Sequence, residues 1–327
     1  YTAPQEDENI KAVLDGVISK LSPSKVEYVR GCAIRDTTVS EIAEAVEAAN
    51  RSEVIIAVVG GSSARDFKTS YQETGAAIAD EKSISDMECG EGFDRATLTL
   101  LGKQQDLLNA LKATGKPLIV VYIEGRPLDK VWASEHADAL LTASYPGQEG
   151  GYAIADVLFG DYNPAGRLPV SVPRSVGQIP VYYNKKAPCN HDYVEQAASP
   201  LYTFGYGLSY TTFEYSDLQV IRKSPCHFEV AFKVKNTGSY DGEEVAQLYL
   251  RDEYASVVQP LRQLKCFERF FLKRGEEKEI FFTLTEKDLS IIDRNMKRVV
   301  ETGDFRIMIG ASSDDIRLTK DISVESL

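Results

Sequence analysis

The chain has 327 residues and a formal net charge of −12, with 43% hydrophobic and 26% charged residues. This length and composition suit two soluble domains with packed cores, and so acidic a surface would repel nucleic acid and anionic membranes. No apolar run approaches the ~18 residues of a membrane-spanning helix, so we expect no nucleic-acid partner and no membrane span.

Cysteine usage argues against a covalent or metal framework. The five cysteines are an odd number without a Cys-x-x-Cys pair, and the three histidines are isolated in sequence. We therefore expect no disulfide framework, no metal site and no cofactor. The first residues lack an initiator Met, a basic segment and a signal-type apolar core, which indicates the interior of a longer chain.

The first third of the chain alternates helical and strand patterns. Helical spacing over 10–21 and 38–50 flanks a strand candidate at 25–29, and a Thr38–Glu41 capping box is predicted to open the second helix. The run Val54–Val59 is apolar and β-branched, which is typical of a central parallel strand buried on both faces.

The alternation continues after a long loop over 62–97. Helices are predicted at 103–113 and 150–159, and buried strands at 118–123 and 139–143. Strands that alternate with helices form a mainly parallel sheet covered on both faces, a three-layer α/β sandwich. Ligands of such sheets collect beyond the carboxyl ends of the strands, and the long loop leaves from one such end.

The sequence pattern changes from about Leu168, where a stretch with several prolines shows little helical periodicity. Short alternating runs separated by turn signals then predict a β-sandwich of immunoglobulin or fibronectin type. These runs are 228–234, 245–250, 279–284 and 305–309. The fold class is thus α/β followed by all-β, with an α/β domain at 1–172, an extended linker at 173–211 and a β-sandwich at 212–327.

The segment Asp86–Arg95 carries four carboxylates and an arginine among glycines. A solvated acidic loop is one interpretation, and acid/base chemistry is the other. Glycosidic bond cleavage commonly uses two carboxylates, and Glu91 between two glycines suits the proton donor. A nucleotide site at Gly60–Ser63 is disfavoured, because the turn lacks the G-x-G-x-x-G spacing.

Several longer motifs resemble the C-terminal half of glycoside hydrolase family 3. They are Gly125–Pro127, Tyr145–Gly151, Ala153–Pro173, Pro200–Phe213, Leu264–Phe267 and Gly303–Gly310. They occur in the family's order and cover nearly the whole chain. The resemblance implies an N-terminal (β/α)₈ barrel, an α/β sandwich and a fibronectin type III-like domain, of which this chain matches the last two.

The resemblance also implies an activity. Family members are retaining, exo-acting β-glycosidases, with β-glucosidase the first expectation here and β-xylosidase the second. The family pattern around the general acid/base maps onto Glu91, and Glu88 is the second choice. The nucleophile of the family is an aspartate of the barrel, so we name none in this chain and expect the chain to be inactive alone.

The expected partners follow from the same resemblance. They are an oligosaccharide or β-glycoside substrate, the barrel of the same enzyme and, as one possible assembly, a second copy in a homodimer. The expected location is periplasmic or secreted. The alternative function is a non-catalytic module that binds carbohydrate or mediates dimer contacts through the fibronectin-like domain.

Overall fold

The computed structural model describes residues 7–64, 70–75, 77–78, 85–90, 94–186 and 191–325. Contacts within the chain divide it into two compact units. The first is Tyr1–Tyr162 with Arg174–Gly177, and the second is Asn163–Pro173 with Gln178–Leu327. The stretch predicted as a linker, 173–211, is thus divided between the units, and most of it belongs to the second.

The first unit is built on a parallel sheet. Its helices are α1 (Val13–Lys20), α2 (Ile42–Arg51), α3 (Gln104–Ala113), α4 (Val131–His136) and α5 (Gly150–Phe159). Its strands are β1 (Ile55–Gly60), β2 (Ser70–Tyr71), β3 (Ala77–Ile78), β4 (Leu118–Ile123) and β5 (Ala139–Thr142). The parallel sheet has the order β1-β4-β5, while β2 and β3 form a short antiparallel ladder. The predicted α/β class with a mainly parallel sheet is confirmed.

One face of this sheet packs against α2 and α3. Ile55, Ala57 and Val59 of β1 share a buried cluster with Ala45 of α2 and Leu108 of α3. Leu108 has no exposed surface, and burying a leucine of this kind stabilises a fold by roughly 1.5–3 kcal/mol. The packing holds β1 and β4 in register, which fixes where their carboxyl ends lie.

The position of β1 corrects the sequence-based expectation. β1 was expected to be central and buried on both faces, but among the described strands it lies at an edge of the parallel sheet. Val54 and Val58 are each 46% exposed, because their side chains alternate with those that face α2 and α3.

Two further local predictions are wrong. The strand candidate at 25–29 forms no ladder with any described residue: its first residue, Lys25, ends a one-turn 3₁₀ helix, and 26–29 form no strand. The capping box is absent: α2 begins after Glu41, which makes no side-chain cap. The Thr38 hydroxyl instead donates to the Asp36 carboxylate at 2.6 Å, a local bond that competes with capping.

The second unit is a β-sandwich, which confirms the fibronectin-like expectation. It contains β6 (Phe213–Ser224), β7 (His227–Asn236), β8 (Gly242–Asp252), β9 (Gln263–Leu272), β10 (Glu277–Leu284), α6 (Glu286–Leu289), β11 (Ile291–Ile292), β12 (Arg298–Val299), β13 (Gly303–Gly310) and β14 (Ile316–Val324). Its two larger sheets have the antiparallel orders β10-β7-β6 and β14-β13-β8-β9. Alternate residues of β7, such as Phe228 and Phe232, are buried against Leu248 of β8, as expected where two sheets pack face to face.

The helices α1 and α5 approach each other at glycines. A Cβ atom added at Gly16 would lie 2.0 Å from the carbonyl oxygen of Gly151. Because the obstacle is backbone, no rotamer change relieves the overlap, so this helix pair requires a residue without a side chain.

We predict that Gly16→Ala lowers the free energy of unfolding of the first unit by about 1–3 kcal/mol, the usual cost of overpacking. This cost outweighs the ~1 kcal/mol by which alanine favours a helix over glycine. The control is Gly177→Ala, whose Cβ would meet only the Ser175 hydroxyl, at 3.8 Å. Thermal and urea unfolding measure both variants, and equal stability of the two would contradict the close helix approach.

Candidate active site

The acidic segment lies at the carboxyl ends of β1 and β4. The Gly61 amide, just beyond β1, donates to the carbonyl of Ile123 at 3.0 Å, and the Glu88 amide donates to the carbonyl of Ser62 at 2.8 Å. Ser62 and Met87 form a parallel bridge. The segment is therefore attached to the edge of the sheet where α/β proteins bind their ligands.

Glu91, the predicted general acid/base, lies outside the described residues. The described segments on either side of it are 85–90 and 94–186. Glu88 and Asp94, the described carboxylates nearest to Glu91 in sequence, lie in these two flanking segments.

Glu88, the second choice, forms a buried ion pair with Arg95. The side chains of Glu88 and Arg95 are only 1% and 4% exposed, and an Arg95 guanidinium nitrogen donates to Glu88 Oε2. The same guanidinium donates to the carbonyl of Thr99. The pair therefore joins residues 88 and 95, which flank the segment 89–94 in sequence.

Glycine makes room for this pair. A Cβ atom at Gly61 would lie 1.9 Å from Glu88 Oε1, so the carboxylate rests directly on the β1 backbone extension. Within the part of the chain that the structure describes, Glu88 Oε1 and Arg95 Nε have no hydrogen-bond partner. Burial raises the pKa of Glu88, although the Arg95 charge acts in the opposite direction.

The residues before Glu88 are anchored to a neighbouring segment. Asp86 Oδ1 accepts a hydrogen bond from the Ile34 amide at 3.2 Å. Arg35 donates to the carbonyl of Met87 at 2.7 Å. Met87 itself is buried, so the incoming arm of the loop is held by side-chain and backbone contacts together.

The outgoing arm is held by Asp94. Its carboxylate pairs with Arg126 Nη1 at 2.7 Å and accepts from the Arg95 amide at 2.7 Å. The pKa of Asp94 is lowered, first by that amide and then by Arg126. Asp94 is 65% exposed at its side chain, so we expect this pair to orient the loop more than to stabilise the fold.

Arg126 is presented by a loop that a second buried ion pair closes. Lys130 donates to both oxygens of Glu124 at 2.6 and 2.7 Å, and the Leu128 amide donates to Glu124 Oε2 at 3.0 Å. Lys130 is 2% exposed and Glu124 is 4% exposed. Burial lowers the pKa of Lys130, and the Glu124 charge partly offsets this.

Sequence reasoning found part of this site. It singled out the acidic segment and, within it, Glu91 and Glu88. It assigned no role to Arg126, although the Gly125–Pro127 motif was visible, or to Glu124 and Lys130. No spacing pattern marks the latter pair, because its two members meet through a turn after β4.

The chain matches known proteins over both units. The profile of the Glycosyl hydrolase family 3 C-terminal domain matches residues 2–210. The profile of the Fibronectin type III-like domain matches residues 244–313.

Curated relatives extend well beyond the matched region. A β-xylosidase of Formosa agariphila is 40% identical over 316 residues, which are 94% of this chain and 40% of the relative. A periplasmic β-glucosidase of Salmonella typhimurium is 43% identical over 292 residues, 84% of this chain and 35% of the relative. The chain thus spans at most about two fifths of the length of these two relatives.

Solved structures agree in fold. A β-glucosidase of Erythrobacter marinus superimposes with a TM-score of 0.83 at 35% identity, over 96% of this chain and 43% of that one. A β-glucosidase of Listeria innocua in complex with isofagomine gives a TM-score of 0.83 at 30% identity, over 98% and 43% of the two chains. In the part of this chain that the structure describes, no helix is long and apolar enough to cross a membrane.

The buried Glu88–Arg95 pair generates a stability prediction. Arg95→Ala leaves the Glu88 charge buried without a partner, which we expect to cost about 3–5 kcal/mol at neutral pH. The loss should shrink as the pH falls. A carboxyl whose folded pKa is raised binds a proton more readily in the folded than in the unfolded state, so acidification favours folding between the two values.

Urea unfolding at several pH values measures this. The double variant Glu88→Gln/Arg95→Ala should recover part of the loss, because it removes the unpaired charge. Arg51→Ala is the matched control, since it breaks an exposed pair with Glu27 and should change stability little. A loss of equal size in the control, or one that grows on acidification, would contradict the buried-pair description.

Proposed function

The chain belongs to glycosyl hydrolase family 3, and on that premise we propose that it is part of a retaining, exo-acting β-glycosidase. The proposed reaction is hydrolysis of terminal, non-reducing β-linked sugars, with β-glucosides the first substrate class and β-xylosides the second. The names of the relatives, β-glucosidases and β-xylosidases, support this choice.

We assign the general acid/base to Glu91. The observation that carries the assignment is the engagement of the neighbouring carboxylates: Glu88 is buried with Arg95, and Asp94 is paired with Arg126. A buried carboxylate that is paired with an arginine is better placed to hold a loop in position than to contact a substrate. In sequence, Glu91 lies between Glu88 and Asp94, the carboxylates of these two ion pairs. Glycines on both sides of Glu91 allow a sharply bent backbone.

The proposed mechanism has two steps. In the first, the Glu91 carboxylic acid protonates the glycosidic oxygen as its bond to the anomeric carbon breaks, and a carboxylate of the barrel bonds to that carbon. In the second, the Glu91 carboxylate takes a proton from water as the water oxygen attacks the anomeric carbon and displaces the barrel carboxylate. The two carboxyl groups would lie roughly 5–5.5 Å apart.

The partner in this scheme is the N-terminal (β/α)₈ barrel of the same enzyme. The length of the relatives beyond the matched region supports a further domain of this size. We also propose a periplasmic or secreted location, which the name of the Salmonella relative supports.

Variants of the full-length enzyme test the acid/base assignment. Glu91→Gln should lower kcat/KM by about 10²–10⁴-fold on glycosides with poor leaving groups, which need protonation. The loss should be smaller on activated aryl glycosides. Added azide should restore turnover of the activated substrate and yield the β-glycosyl azide, because azide needs no general base to attack the intermediate.

Glu88→Gln is the companion variant for this measurement. It should reduce activity on both kinds of leaving group alike, because a disturbed loop position does not distinguish them. If Glu88→Gln instead showed the leaving-group dependence and azide rescue, the acid/base would be Glu88 and not Glu91.

The division of the active site gives a second prediction. Purified 1–327 should hydrolyse aryl β-glucosides at no measurable fraction of the full-length rate, because one of the two required carboxylates lies on the barrel. Chromogenic assays of both proteins at equal concentration measure this. Family-like turnover by 1–327 would contradict the proposed division.

A further inference from the structure

Gln104, the first residue of α3, has a buried side chain. It is 4% exposed, although glutamine is a residue type that usually lies at the surface. The other buried side chains of α3 are the leucines at 107, 108 and 111, which pack in the apolar core. A buried carboxamide costs free energy unless its donors and its acceptor are satisfied. The partners of Gln104 therefore indicate why a polar residue stands at this position.

The carboxamide of Gln104 bonds to both backbone groups of the residue that ends β1. The Gly60 amide donates to Gln104 Oε1 at 2.8 Å, and Gln104 Nε2 donates to the Gly60 carbonyl at 2.9 Å. The next residue, Gly61, is the glycine on which the Glu88 carboxylate rests. Gln104 therefore fixes the end of β1 at the point where the chain leaves the sheet and meets the acidic segment.

The same carboxamide also reaches a second segment of the chain. Gln104 Nε2 donates to the carbonyl of Ile34 at 3.3 Å and to that of Leu101 at 3.2 Å. Its two hydrogens are thus shared among three carbonyls, each from a different stretch of the chain. Because these acceptors surround one nitrogen, the side chain holds the segment at Ile34 close to the end of β1.

Both of the segments that Gln104 joins hold part of the acidic segment. Just after the end of β1, the Ser62 carbonyl accepts a hydrogen bond from the Glu88 amide at 2.8 Å. From the other segment, the Ile34 amide donates to Asp86 Oδ1 at 3.2 Å. Gln104 takes part in neither bond, but a change in the distance between its two partners would shift both carboxylates relative to the sheet.

We propose that Gln104 is a positioning residue for the acidic segment. Its carboxamide sets the distance between the end of β1 and the segment at Ile34, and these two segments in turn set the position of Asp86 and Glu88. Any effect on Glu91 would pass through the chain that follows Glu88. The positioning role rests on the hydrogen bonds of Gln104 alone, whereas its consequence for catalysis rests on the proposed function.

The pattern of donor and acceptor distinguishes this role from simple packing. Glutamate has nearly the same shape as glutamine, and its neutral carboxyl group can accept from the Gly60 amide and donate one hydrogen. The ionised carboxylate has no hydrogen to donate and would face the carbonyl oxygens of Gly60, Ile34 and Leu101. Gln104→Glu therefore keeps the volume of the side chain but makes its hydrogen bonds depend on pH.

Kinetics of the full-length enzyme give the first readout, on an activated aryl β-glycoside and at pH values where the variant is folded. The ratio of kcat/KM of Gln104→Glu to that of the wild type should be highest at acidic pH. It should fall by at least about tenfold as the carboxyl group ionises, because buried carbonyls then lose their donor. The matched control is Gln105→Glu, since Gln105 has a solvent-exposed hydrogen bond to Asn109 at 3.1 Å. A ratio that stays constant with pH, or that falls equally in the control, would overturn the proposal.

Amide hydrogen exchange in the same proteins separates positioning from general destabilisation. At neutral pH, the amides of Ile34 and Glu88 in Gln104→Glu should exchange at least about tenfold faster than in the wild type. The amide of Val120, which is fully buried in the middle of β4, should change much less. Acceleration of equal size at Val120 would indicate a merely structural residue, and unchanged exchange at Ile34 and Glu88 would also overturn the proposal.

Gln104→Asn provides a second variant, which stays neutral at every pH. Its carboxamide is shorter by one methylene, so we expect it to reach Gly60 or Ile34 but not both, and to accelerate exchange at Ile34 and Glu88. Unchanged exchange in this variant would again contradict the positioning role. Accelerated exchange with undiminished activity would support the positioning role of Gln104 and contradict instead the assignment of catalysis to the acidic segment.

Discussion

The loop that we assign to catalysis depends on one buried ion pair. Glu88 and Arg95 meet with almost no exposed surface, across the residues that include Glu91. Two charges cannot leave water unless each compensates the other. Neither residue can therefore move away without leaving an unpaired buried charge, so the pair fixes the distance between residues 88 and 95.

The surrounding groups extend this constraint to the sheet. Gly61 lets the Glu88 carboxylate rest on the end of β1, and Arg126 holds Asp94 from the loop after β4. The Glu124–Lys130 pair in turn closes the loop that carries Arg126. Preorganisation of this kind is what a general acid requires, since its proton must lie within hydrogen-bond reach of the leaving oxygen when the sugar binds.

Much of the fold could be predicted from the sequence, because the spacing of hydrophobic residues along the chain distinguishes helices from strands. Continuous apolar runs marked β1 and β4, and alternating runs marked β7 and β13, since period and burial are local properties of the chain. The predicted capping box does not form, because the Thr38 hydroxyl donates a hydrogen bond to the nearby Asp36 carboxylate instead. Strand position within the sheet could not be read from β1 alone, because an edge is defined by neighbours and not by composition.

The site was predictable only in part for a similar reason. Glu88, Glu91 and Asp94 are close in sequence, so their cluster was visible, whereas Arg126 reaches Asp94 from another strand end. Burial decides what each carboxylate can do, and burial depends on tertiary packing. Gly61 illustrates this, because only the structure shows that the Glu88 carboxylate packs against this glycine.

The most direct test of the account is the pH dependence of kcat/KM for the full-length enzyme on an activated aryl β-glycoside. A general acid whose ionisation limits the wild-type rate produces the alkaline limb of a bell-shaped profile. The account predicts that this limb disappears in Glu91→Gln while the acidic limb, set by the barrel carboxylate, remains. An alkaline limb that is unchanged in Glu91→Gln would contradict the assignment of Glu91 as the proton donor.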